Sequence, residues 1–315
     1  MTIHLYSYSS IFYIFVGTHI FAVLMKTRSI KGIYPSVKVN MGGVILDQPL
    51  PYRGLDMVDP FLLIHHWDDK LPGGQHQSKV GVGPHPHRGF TPVSFIFKGG
   101  VHHRDSRGHE SIIYGGGTQW MNSGYGIVHS ERPAKEIAQD GGDFELIQFW
   151  VNAPAKHKFD EATYQPLNAS GTPKVTSSDG KVEVGVVAGE FLGKQGPIET
   201  HSQLLNLRLD LQAGGKMDIP LPSDYNAILY PLDGVLKLNG ERAINAKDMT
   251  VFEMDGEGIH VEAIKDTRAI ILAGQPIGEP VVSYGPFVMN SQREVMEAIR
   301  DYQAGKLGTL KEKFS

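Results

Sequence analysis

At 315 residues the chain is long enough for two domains, each able to bury its own core. Hydrophobic residues supply 41% and charged residues 20%, which excludes wholesale disorder, and a formal net charge of -4 leaves no basic footprint for direct nucleic-acid binding. With no cysteine there is no disulfide framework, thiolate site or thiol nucleophile, so any metal must sit on nitrogen and oxygen donors; 14 histidines and 34 acidic residues supply them.

In chain order, the first feature is a strongly apolar run, IFYIFVGTHIFAVLM, over residues 11–25. It is shorter than the roughly 20 residues a membrane-spanning helix needs, and only His4 precedes it where a signal peptide would carry a basic segment. Residues 1–24 are expected to be an apolar extension from an upstream start, with an anchor or signal as the second reading. Met25, Lys26, Thr27 and Arg28 look like an ordinary protein start. A cytoplasmic protein is expected, without membrane attachment.

From residue 35 onward, short alternating or β-branched runs are punctuated by glycine: Val37 to Val39, Val93 to Phe97, Glu145 to Val151 and Val182 to Val187. Such runs between Gly, Asp, Asn and Pro clusters predict a β-sandwich or barrel. One helix is expected near the end, where Ser291 and Glu294 form a capping box and Val295, Met296, Ile299 and Tyr302 make an apolar face before Gly305. The polar, small-residue stretch 168–180 is the expected linker. It separates an N-terminal domain over 25–167 from a C-terminal domain over 181–315.

The halves carry a faint repeat. Pro92 to Gly100 resembles Ala227 to Gly234 with Gly100 on Gly234, an offset of 134, and Gly124 to Ile127 resembles Gly256 to Ile259, an offset of 132. Two matches with nearly equal offsets argue for a duplicated domain.

The chemistry lies in two short pairs. His85 and His87 stand at i and i+2, which on a strand places both imidazoles on one face about 6.6 Å apart. His129 and Glu131 repeat the spacing with a carboxylate as the second member. If the strands are neighbours, four ligands converge on one point. Three imidazole nitrogens and one carboxylate suit Fe, Ni, Cu, Mn or Zn and leave coordination positions open. The repeat maps the four positions onto Ile219, Leu221, Val261 and Ala263, all apolar, so one metal is expected, in the first domain.

Other candidates are weaker. His65 and His66 before Trp67, and His102 and His103 with Asp105 and His109, are assigned to loops, with His103 or His109 as residues of the pocket mouth. Gly115 to Gly117 reads as a turn before Thr118 to Trp120, because no phosphate-binding or nucleophile-elbow motif is present. Arg88 and Arg132 follow the ligand pairs and by alternation point away from the metal, toward the surface or an inter-strand partner.

Four spaced motifs, Pro84-His-Pro-His-Arg-Gly-Phe90, Thr118-Gln-Trp-Met-Asn-Ser-Gly124, Gly126-Ile-Val-His-Ser-Glu131 and Gly285-Pro-Phe-Val-Met-Asn290, resemble the pirin family over about residues 35–305. The resemblance implies an all-β chain of two cupin jelly-roll barrels in tandem with a C-terminal helix. It also implies Fe(II) in the first barrel at His85, His87, His129 and Glu131. Family members often carry Glu where this chain has Thr91, so dependence on Glu131 is complete. Some relatives resemble quercetin 2,3-dioxygenases, which implies an aromatic or enediol substrate and O2, with Glu131 as proton acceptor. Others resemble iron-sensing transcriptional co-regulators that act through protein partners. A monomer is expected on either account.

Overall fold

The computed structural model describes residues 25–314 throughout and, within 1–24, the backbone strands Tyr6–Tyr8, Ile11–Val16 and His19–Leu24. The expected extension over 1–24 otherwise lies outside the described residues. The chain resolves into two compact units, Val37–Thr172 with Ile198–Ser202 and Ile277–Ser315, and Met1–Ser36 with Pro173–Pro197 and Gln203–Pro276.

The first unit pairs a four-stranded with a seven-stranded antiparallel sheet. The smaller runs in the order Glu110–Tyr114, Gly100–Asp105, Ile127–Pro133, Val82–His87. The larger runs Thr163–Leu167, Thr118–Asn122, Phe90–Lys98, Gly142–Asn152, Phe61–Leu71, Val44–Leu50, Val37–Met41. The first seven residues of Phe90–Lys98 are buried because the strand has a partner on each side, and phenylalanine, valine and isoleucine fill its run. Leu46, Trp67, Ile96, Val101, Ile113 and Phe144 pack into one of the unit's apolar clusters.

The second unit repeats the plan. Its seven-stranded sheet runs Lys174–Thr176, Val182–Ala188, Leu204–Leu211, Thr267–Gly274, Asn226–Pro231, Asp248–Phe252, Ile30–Pro35, and its four-stranded sheet runs Arg242–Asn245, Val235–Leu238, Gly258–Lys265, Lys216–Pro220. The order of the smaller sheet matches that of the first unit strand for strand, which is the duplication seen in the glycine offsets. Ile219, Leu221, Val261 and Ala263 lie in this unit's apolar core. Register sharpens the mapping: His85 faces His129, whereas Ile219 faces Ile259, and Val261 faces Met217. The exact equivalence shifts by two residues on one strand, and every inward side chain at these positions is apolar under either alignment.

Three expectations change. The units are not the continuous segments 25–167 and 181–315. Ile30–Pro35 pairs with Asp248–Phe252, and the last 39 residues, 277–315, belong with the first unit. Of the expected linker 168–180, Lys174–Thr176 is an edge strand that pairs with Val182–Ala188. The helix spans Gln292–Gln303 with Ser291 as N-cap, but its buried residues are Val295 and Ala298, while Met296 is exposed. Positions 295, 298 and 299 share one face at helical spacing, and 296 is rotated about 100° from 295.

Candidate metal centre

The smaller sheet of the first unit brings the two ligand pairs together. In its register His85 lies opposite His129 and His87 opposite Ile127, and a bulge follows between His129 and Glu131. The three imidazoles form a cluster in which one ligand atom from each lies within 4.8 Å of the others. Ring centroids are 4.3 Å apart for His85 and His129, 4.7 Å for His85 and His87, and 4.9 Å for His87 and His129. His85 Nδ1 sits 2.8 Å from the Gly83 carbonyl, so it carries the proton and Nε2 is left as the ligand atom.

Burial holds the His87 imidazole well below its ordinary pKa, and His85 adds to the effect while the Pro286 carbonyl opposes it. His129 is depressed by burial first, then by His85, His87 and His103. Both rings are therefore neutral donors at neutral pH. His129 is 1% exposed and, among the described residues, neither of its ring nitrogens has a hydrogen-bond partner. Burying unpaired polar atoms costs free energy, and a metal bond to one ring nitrogen would offset part of it, so the residues fit a metal ion.

Glu131 stands apart from the tight cluster. Its Oε2 is 3.9 Å from His129 Nε2, Ser94 Oγ donates to Oε1 at 3.0 Å, and Gln148 Nε2 donates to Oε2 at 2.7 Å. Ser94 and Gln148 escape a search for ligand motifs because neither is a ligand type, but they face each other across Phe90–Lys98 and Gly142–Asn152. Thr91 is turned elsewhere, donating to Asn122 Oδ1 at 2.9 Å.

His85, His87 and Glu131 open onto a cavity of about 420 Å³ walled by Trp67, Trp150, Phe144 and Leu146, with Gln148 and His65 as its polar points. Gly285 and Pro286 close one side. They reach it because the backbones of Arg88 and Val288 are hydrogen-bonded, Val288 N to Arg88 O at 3.1 Å. Gly89, at φ 85°, permits this approach, since a Cβ there would collide with the Val288 carbonyl.

Two sets of residues lie elsewhere than expected. His65 and His66 belong to strand Phe61–Leu71, and His102 and His103 to Gly100–Asp105, every residue of which is buried. The strand holds imidazoles because carboxylates meet them: Asp105 pairs with His103 at 3.0 Å and with His109 at 2.8 Å, and Glu110 pairs with His102 at 2.8 Å. His103 stacks on Tyr164 with centroids 3.9 Å apart, behind His129 rather than at the pocket mouth. Arg88 and Arg132 do pair away from the cluster, but both are buried, not on the surface. Arg88 meets Asp301 at 3.0 Å, and Arg132 holds Glu312 through two bonds of 2.8 and 2.9 Å.

Paired sheets repeated in two units, with a three-histidine cluster inside one of them, define a bicupin. Residues 43–151 match the Pirin family model and 206–308 match the Pirin C-terminal cupin domain. The chain is 35% identical over 287 residues to Pirin-like protein 2 of Arabidopsis thaliana, covering 89% of this chain and 85% of that one. It is 36% identical over 292 residues to Pirin of Rattus norvegicus, covering 91% and 92%. The crystal structure of a quercetin 2,3-dioxygenase from Acinetobacter baumannii superposes with a TM-score of 0.85 at 32% identity, over 90% of this chain and 100% of that one. The chain belongs to the pirin family.

Proposed function

We propose that the protein is a metal-dependent dioxygenase of the quercetin 2,3-dioxygenase kind. It takes Fe(II) at His85, His87, His129 and Glu131 and acts on a flavonol-like or enediol small molecule with O2. The observation that carries the proposal is the position of the cluster: His85, His87 and the Glu131 carboxylate stand on the wall of an apolar cavity large enough for an aromatic molecule, with His129 buried beside them. When bound, a redox-active divalent metal supplies a Lewis acid for an enolic oxygen and a route for electron transfer to O2.

The chain's own residues do the rest. Trp67, Trp150 and Phe144 offer flat apolar surface that excludes water and orients an aromatic ring. Glu131 is placed to accept the proton of a substrate hydroxyl, with Ser94 and Gln148 fixing its orientation. Among the described residues no helix is long and apolar enough to cross a membrane; a cytoplasmic location and a monomeric state are part of the proposed reading.

The test is anaerobic loading with Fe(II), then quercetin and O2, followed by flavonol absorbance. Metal-dependent loss of absorbance that disappears in His87→Ala is expected. Equal loss in that variant, or none in the loaded wild type, would overturn the proposal.

A further inference from the structure

Away from the barrel cavity, His157, Asp160 and His201 form another cluster of ligand-type side chains in the first unit. His157 closes the 3₁₀ turn Ala155–His157, and its Nδ1 is 2.6 Å from Asp160 Oδ2 three residues later. His201 arrives from Ile198–Ser202, a short excursion of the chain counted with this unit. Its ring stacks on that of His157 with centroids 4.4 Å apart and planes 19° from parallel.

The backbone around the cluster is fixed without help from these side chains. Gln165 Nε2 donates to the Glu199 carbonyl at 2.9 Å and Gln165 Oε1 accepts from Glu199 N at 3.0 Å. On the other side, Tyr125 N donates to the Asp160 carbonyl at 2.9 Å. His201 itself makes no hydrogen bond to another residue among those described. A half-buried imidazole with no protein partner for either ring nitrogen among the described residues, beside a second imidazole and a carboxylate, has the composition of a metal site.

We propose that His157, Asp160 and His201 bind a divalent transition metal of the zinc class, independent of the barrel site, and so fasten Ile198–Ser202 to the Ala155–Asp160 loop. Two imidazoles, one carboxylate and water make a regular zinc donor set. Zinc–nitrogen bonds of about 2.0–2.1 Å put tetrahedral ligand atoms about 3.3 Å apart. The three donor atoms already lie within 4.8 Å of one another, so side-chain rotations of partly buried residues close the site.

Equilibrium dialysis of the full chain at micromolar free zinc tests this. The wild type is expected to hold one zinc more than His201→Ala or Asp160→Asn. A His85→Ala/His129→Ala variant is expected to keep one zinc, and to lose it when His201→Ala is added. A wild-type zinc count in His201→Ala would overturn the proposal, as would a folded barrel-site variant that binds none. If the barrel-site variant does not fold, the comparison of wild type with His201→Ala decides alone.

Discussion

Glu131 is held by two neutral donors rather than by a cation, and this decides what its neighbours do. Gln148 fixes the oxygen nearest His129, so Gln148→Leu frees the carboxylate to rotate without removing any ligand. Metal affinity is expected to fall about 10–100-fold, as for other residues that orient a ligand, with little change in melting temperature. Competition against a chelator measures it, and unchanged affinity would show that Gln148 does not position the carboxylate. Lys158 is a second residue whose role is visible only in three dimensions. Its ammonium is buried and donates to Gly89 O at 2.6 Å, Asn152 Oδ1 at 2.7 Å and Val288 O at 3.0 Å, while burial lowers its pKa to about 8. Three acceptors match the three protons of the charged form. Lys158→Met leaves those acceptors unpaired and is expected to cost about 3–5 kcal/mol in urea unfolding. A cost below about 1 kcal/mol would mean that water replaces the amine.

Among the elements, the C-terminal segment has the clearest consequence. Arg132 spends its guanidinium on Glu312 and on the carbonyls of Ser78 and Val80, and Arg88 reaches Asp301. Each arginine lies one residue beyond a ligand pair, so the segment anchors both ligand strands from the side opposite the metal cluster. Glu312→Gln keeps the shape but removes the charge, and is expected to destabilise the protein by about 2–4 kcal/mol because the arginine stays buried. The double variant with Arg132→Met should recover part of that loss, and a thermodynamic cycle reads the coupling. Ser291→Ala, which deletes the side-chain cap of helix Gln292–Gln303, is expected to cost about 1 kcal/mol. How far the elements were legible follows from what their residues pair with. Val93 to Phe97 and Val182 to Val187 are apolar runs that only a central strand can use, and the two i, i+2 pairs announce their strand by their own spacing. Gly100–Asp105 gave no such signal, since it has no apolar run: His103 is paired by Asp105 at the end of its own strand, and His102 by Glu110 across a turn. Local pattern registers hydrophobicity; it does not register a polar pair such as His102 with Glu110 that forms only when strands meet.

For the whole molecule, duplication was legible from glycine offsets, because glycine stands at the start of equivalent strands in both copies, Gly100 opening Gly100–Asp105 and Gly234 preceding Val235–Leu238, whereas the use of Ile30–Pro35 and 277–315 across the division was not. Short strands and a capped helix look the same from the sequence whichever sheet receives them. Metal and proton then act on stability together. His87 and His129 have depressed pKa values through burial, and partial burial lowers His65 to about 4. The unfolded chain holds these imidazoles near their ordinary value of about 6.5, so below that pH it takes up protons that the folded state refuses. The metal-free protein is therefore expected to lose stability as pH falls from about 6.5 toward 4, with no comparable loss between pH 7 and 8. Asp301, held low by Lys306 and then Arg88, adds its own loss only below the ordinary carboxylate range. Metal at one hundred times its dissociation constant adds about 2.7 kcal/mol, or roughly 5–10 °C of melting temperature for a unit of this size. That increment must shrink in acid, because protons compete for the same imidazoles. Thermal melts of the chelated and metal-loaded protein from pH 8 to pH 4.5 measure both effects. If the two curves stay parallel across that range, the metal does not bind through the buried histidines.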